Sequence, residues 1–121
     1  MTTGERIGIA WQAVLDRLPD GWIIDRLQHM PKGGMVFADD GSLVAKRNVW
    51  KVHARPLEGY AWRNAGLKHL AEGFNATGDS PLEALLSLAV RAEKGDITRE
   101  PRPAQLKAVD DLFAALFGDA A

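Results

Sequence analysis

Histidine, serine, paired aspartates and glycine-flanked lysine are the residues whose types could do chemistry here, and in each case the spacing argues against it. His29, His53 and His69 form no His-x-x-x-His pair and none has a glutamate at metalloprotease spacing, so a tetrahedral metal site finds no support. The chain contains no cysteine, which removes thiolate ligands, a cysteine nucleophile and a disulfide framework. A serine hydrolase needs its nucleophile on a tight glycine-flanked turn, but Gly41-Ser42-Leu43 lacks the second glycine and Ser80, before Pro81, reads as a helix cap. Asp39-Asp40 opens like a calcium loop, yet Asn48 and Trp50 do not continue the ligand series. Lys32-Gly33-Gly34 is too short for a phosphate loop and runs into strand-like residues instead of a helix. Paired carboxylates for glycosidic cleavage are defined by separation in space and are not legible in sequence. The expectation is a protein without catalytic residues, metal or cofactor.

Charge is distributed unevenly. Residues 1–42 carry four Lys/Arg and six Asp/Glu, residues 43–70 carry six Lys/Arg and one Glu, and residues 71–121 carry five against nine. Lys46, Arg47, Lys51, His53, Arg55, Arg63 and Lys68 therefore form a candidate binding face, and Trp50, Tyr60 and Trp62 interleave with them. Cations beside aromatics suit phosphates and bases, or an acidic protein surface. The plainer reading is that a basic sheet face offsets the acidic C-terminal third while Trp50 and Trp62 belong to the core.

The elements that must position these residues follow from periodicity. Thr2 and Glu5 stand at capping-box spacing ahead of Ile7, Trp11, Val14, Leu15 and Leu18, which predicts a helix ended by Pro19-Asp20-Gly21. Short β-like runs follow at 22–27, 35–38, 43–45 and 49–54, separated by Pro31-Lys32-Gly33-Gly34 and Asp39-Asp40-Gly41-Ser42. The last run alternates Trp50, Val52 and Ala54 with Lys51, His53 and Arg55, so one face packs and the other meets solvent. Residues 56–79 admit either a short helix near Trp62 to Glu72 or a strand leading into Phe74-Asn75-Ala76. Ser80-Pro81-Leu82-Glu83 opens a second helix with Leu82, Leu85, Leu86, Ala89 and Val90 as its apolar stripe, stopping at Lys94-Gly95. The Pro-rich connector 98–103 leads to a last helix bearing Leu106, Val109, Leu112, Phe113, Leu116 and Phe117. That helix either closes the chain's own core, the first expectation, or crosses to a partner or a second copy.

The fold class expected is α+β: an N-terminal helix, an antiparallel sheet of three to four strands, then helices packed on the sheet. Residues 1–97 form the sheet domain and residues 98–121 the Pro-linked helix, expected on the same domain. With 121 residues, 46% hydrophobic and 26% charged at a net charge of −1, the composition fits one ordinary globular domain without metal or covalent staples. No apolar run reaches the roughly 20 residues of a membrane span, and Met1 to Arg6 lacks a signal-peptide core, so a cytoplasmic protein is expected.

Gly73-Phe74-Asn75-Ala76-Thr77-Gly78-Asp79-Ser80-Pro81-Leu82-Glu83-Ala84-Leu85 resembles small phage and prophage proteins of the ABA-sandwich type. Those proteins end an antiparallel sheet with a Gly-Asp-Ser/Thr-Pro turn that opens an Ala/Leu-rich helix. The resemblance covers about a fifth of the chain and implies a sheet flanked by helices and an origin in a mobile element. It transfers no catalytic residue. The helix, sheet, helix order also resembles the double-stranded RNA-binding fold in outline, but Glu83 stands where that fold places its phosphate-gripping lysines. The function expected is a non-catalytic accessory protein of a phage or mobile element, monomer or homodimer, that binds and modulates a host protein complex such as a defence assembly. Direct nucleic-acid binding through the same basic face is the alternative, separated from it by salt dependence.

Overall fold

The computed structural model describes residues 1–37, 42–57, 74–94 and 102–118. Helix α1 (Thr3–Arg17) starts where the capping box places it: the Thr2 hydroxyl accepts from the Glu5 amide at 3.1 Å, and the Glu5 carboxylate accepts from the Thr2 amide at 3.3 Å. It ends as Leu18 turns extended before Pro19, and Gly21 takes a φ of +84° that favours glycine. Ala10, Ala13 and Val14 are its buried residues, whereas Leu15, expected on the apolar face, is 37% exposed. Two small alanines let α1 approach its neighbour closely, and this displaces the contact stripe away from Leu15.

Three strands form the main sheet in the order β1 (Trp22–Met30), β4 (Val49–Pro56), β5 (Phe74–Gly78), antiparallel throughout. Of the two paths open for residues 56–79, the strand into Phe74-Asn75-Ala76 is observed; Trp62 to Glu72 lies outside the described residues. Within the described residues, the runs expected at 35–38 and 43–45 do not join this sheet. They form β2 (Gly34–Phe37) and β3 (Leu43–Lys46), which pair as a separate two-stranded ribbon. The separation has a local cause at the ribbon's neck. Gly33 at φ +96° and Asn48 at φ +56° both take left-handed conformations, and the Asn48 amide donates to the Pro31 carbonyl at 3.3 Å. These turns redirect both chains at one level, so the ladder of β1 and β4 does not run on into the ribbon.

Helices cover one face of the sheet. Helix α2 (Pro81–Lys94) packs on β5 and β4 and is flanked by α1 and by α3 (Arg102–Phe117). Because it has neighbours on several sides, its burial extends beyond the single stripe of Leu82, Leu85, Leu86, Ala89 and Val90: every residue from Ala84 to Val90 is buried, Leu88 and Ser87 included. Its start is fixed by Ser80, whose hydroxyl accepts from the Glu83 amide at 3.1 Å, while the Glu83 carboxylate accepts from the Asp79 amide at 3.1 Å. Gly78 is required just before it, since a Cβ there would come within 2.6 Å of the Ala84 nitrogen. Helix α3 begins at Arg102, earlier than its apolar positions show, with Pro103 in its first turn. It lies on its own chain: Val109 and Leu112 are buried in the core, and Phe113 and Leu116 pack against it. Among the described residues no helix is long and apolar enough to cross a membrane.

Candidate functional site

Strand β4 carries the sequence-predicted basic face, and its alternation is as expected. Val52 and Ala54 are buried beneath the helices and Trp50 packs against the same core, while Lys51, His53 and Arg55 occupy the opposite face. Cross-strand register completes that face. Lys51 stands between Gln28 of β1 and Thr77 of β5, and His53 stands between Arg26 and Asn75. The helix residues of the core cluster pack with Val52 and Ala54, on the side opposite this face.

The register of β1 slips between Ile24 and Arg26, so Asp25 is an extra residue in the ladder. Asp25 as a residue is exposed, but its side chain is only 19% exposed because the bulge aims it back across the sheet. One carboxylate oxygen lies 2.7 Å from His53 Nδ1, and the other accepts from Arg55 Nε at 3.0 Å. Burial alone would push the Asp25 pKa up. The hydrogen bonds and charges of His53 and then Arg55 together outweigh it and hold the group below its ordinary value of 3.8. Arg55 also donates from Nη1 to the Pro56 carbonyl at 3.1 Å. Asp25 was not singled out in sequence; an aspartate inside the apolar run Trp22–Leu27, where strands disfavour it, was the available signal.

Further cations stand at the ribbon's neck. Lys46 forms an ion pair with Asp79, whereas Arg47 and Lys32 are exposed. Among the described residues no carboxylate pairs with Arg26, Lys32, Arg47 or Lys51. Arg63 and Lys68, together with Tyr60 and Trp62, lie outside the described residues. The predicted basic set is thus divided: Lys46, His53 and Arg55 have acidic neighbours, and Arg47 and Lys51, joined by Arg26 and Lys32, have none among the described residues.

Trp50 follows the plainer reading and belongs to the core side of β4. Its ring faces the helices and stacks on His29, with centroids 4.7 Å apart and planes inclined by 21°. A base stacking on the cationic face would not meet it. The candidate partner helix is also altered: Val109 and Leu112 are covered in cis, Phe113, Leu116 and Phe117 are half-buried, and the Leu106 side chain lies outside the described set. Among the described residues no group of three or more His, Asp or Glu is placed to hold a metal ion.

The chain matches no family model, no curated protein and no solved structure. What it does must therefore be argued from the surface itself.

Proposed function

We propose that this protein is a non-catalytic binding module, an accessory protein of a phage or mobile element, which occupies an acidic surface of a host protein complex through the open face of its sheet and the neck of its ribbon. The observation that carries this reading is a set of cations without acidic neighbours among the described residues: Arg26 and Lys51 on the sheet face opposite Val52 and Ala54, and Lys32 and Arg47 at the ribbon's neck. Such a face gains electrostatic steering toward a negative partner and pays little internal desolvation. Trp50 is turned to the core, so among the described residues the face offers charge without the stacking platform that single-stranded nucleic acid favours. The ABA-sandwich resemblance supports the origin in a mobile element.

Affinity capture from a bacterial lysate, with the wild-type chain beside the Arg47→Glu/Lys51→Glu double variant, tests the reading. The expected result is a partner recovered by the wild type and lost by the variant, at a thermal stability changed by no more than about 0.5 kcal/mol, as for exposed substitutions. A partner retained by the variant would remove this face from the account. Retarded migration of short DNA or RNA, lost steeply as salt rises, would transfer the same residues to nucleic-acid binding.

A further inference from the structure

A cavity of about 380 Å³ opens at the ribbon's neck, lined by Lys32, Gly33, Gly34, Ala45, Lys46 and Arg47. Its lining holds two kinds of residue, three cations and three residues with no side chain beyond a methyl group. Among the described residues no carboxylate lines it. Lys46 pairs with Asp79 from outside, whereas Lys32 and Arg47 are exposed and have no acidic neighbour among the described residues. The cavity therefore carries two uncompensated positive charges beside a third that is already paired. Its frame is fixed by backbone contacts. The chains at Gly33 and Lys46 approach so closely that a Cβ on Gly33 would overlap the Lys46 carbonyl. The Gly33 amide donates to the Met30 carbonyl at 3.0 Å, and the Asn48 amide donates to the Pro31 carbonyl at 3.3 Å. Lys32 and Arg47, one on the chain entering the ribbon and one on the chain leaving it, thus rise from backbone held at one level. A frame ordered in advance lowers the entropic cost of closing two side chains on a ligand.

We propose that this cavity binds a phosphate dianion, free or at the end of a small phosphomonoester. Charge sets the class. A phosphomonoester carries close to two negative charges near neutral pH, which matches Lys32 and Arg47 together, whereas a single carboxylate would leave one cation unmet. The two side chains divide the work: the Arg47 guanidinium is a fork that spans two phosphate oxygens, and the Lys32 ammonium is a point charge for a third. Asp79 holds Lys46 at the border of the cavity. Volume bounds the rest of the ligand. The cavity lies near the lower end of the roughly 300–1,000 Å³ of small-molecule sites, enough for a phosphate with a body of up to mononucleotide size. Lys32-Gly33-Gly34 lacks the helix of a phosphate loop, and the site needs none, because side chains supply the charge and Gly33 supplies only the close approach of the two chains. The inference goes beyond host docking and does not rest on it: Lys32 and Arg47 are shared, but Arg26 and Lys51 take no part.

Amide chemical shifts of the isotope-labelled full chain, titrated near neutral pH and at constant ionic strength, read the site directly. The probes are inorganic phosphate, AMP, adenosine and dimethyl phosphate. The expected result is a saturable shift of the amides at 32–34 and 45–47 with phosphate and with AMP, and none with adenosine. Dimethyl phosphate, a monoanion, should bind more weakly than phosphate by about fivefold or more. Both phosphate arms support the site and separate its sources: AMP tighter by about tenfold or more assigns it to a phosphorylated molecule, and equal affinities assign it to the free ion. Lys32→Gln and Arg47→Gln, both at exposed positions, should each weaken binding by about fivefold or more. Lys51→Glu should leave it unchanged while removing the host partner, so the failure of one reading does not carry over to the other. Three results would overturn the proposal: no saturable shift up to about 10 mM phosphate or AMP, dimethyl phosphate binding as well as phosphate, or binding that survives the Lys32→Gln/Arg47→Gln double variant.

Discussion

His53 Nδ1 and Asp25 Oδ1 are 2.7 Å apart across the β1–β4 ladder, although 28 residues separate them in the chain. The contact exists because a bulge, and not a regular register, places Asp25. With Arg55 on the second carboxylate oxygen, Asp25 ties two consecutive outward side chains of β4 to β1.

Removal of that carboxylate should therefore cost stability and release charge together. Asp25→Asn is expected to lower the unfolding free energy by about 1 kcal/mol, the scale of a partly exposed charge-assisted hydrogen-bond pair. The pH dependence has a definite sign. The folded-state pKa of Asp25 lies below its ordinary value of 3.8, so the unfolded chain takes up the proton first as pH falls. Its stabilising contribution is complete above that ordinary value and is lost as pH drops through the folded one. Urea unfolding of wild type and Asp25→Asn at several pH values should show the difference between them closing below about pH 4. A difference that instead grows in acid would contradict the pairing.

At the ribbon neck, Gly33 combines a φ of +96° with a close approach: a Cβ there would overlap the Lys46 carbonyl. Gly33→Ala is expected to destabilise the chain by about 1–3 kcal/mol, the cost of a strained backbone position plus displacement of β3. Asn48→Gly, at φ +56°, should be near neutral because glycine accepts the same conformation. Amide exchange should localise the Gly33→Ala effect to residues 34–37 and 43–46, where the ribbon ladder runs.

Several of these elements were legible beforehand because their causes are local. The Thr2 and Ser80 caps, the stop at Pro19 and the alternation of β4 each depend on neighbours within a few residues. What was not legible depends on register and on remote packing. The same β-like runs at 35–38 and 43–45 suit a sheet or a detached ribbon, and the left-handed turns at Gly33 and Asn48 decide between them. Asp25 looked like one more polar residue in a strand, since its role follows from a one-residue slip. Leu15 stands outside the α1 contact because close approach at Ala10 and Ala13 replaces large side chains there. Trp50 could be assigned to the core by alternation alone, and this weakens the aromatic half of the basic-patch reading without any three-dimensional information.

The central position of α2 predicts a sharp contrast between two leucines of similar hydropathy. Leu85 is fully buried between the sheet and the other helices, so Leu85→Ala should cost about 2–5 kcal/mol through lost transfer energy and an incompletely collapsed cavity. Leu43, half exposed on the ribbon, should tolerate alanine within about 0.5 kcal/mol in the monomer. Denaturant midpoints of the two variants and the wild type are the measurement. An equal loss at both sites would mean that the ribbon is packed within its own chain.

Helix α3 is held on α1 by an aromatic and cationic contact that the sequence did not advertise. The Arg6 guanidinium sits 5.7 Å from the ring centroids of both Phe113 and Phe117, which meet edge to face at 4.9 Å. Arg6→Ala should lower stability by about 1 kcal/mol, from lost cation–π attraction and lost packing of the arginine stem. Arg6→Lys should recover only part of it, because an ammonium cannot lie flat on two rings at once. The distinctive readout is local: amide exchange along 107–117 should accelerate more than exchange in the middle of α2, where burial is set by Leu85, Leu86 and Leu88. If both helices lose protection equally, Arg6 supports the whole core and not the seating of α3.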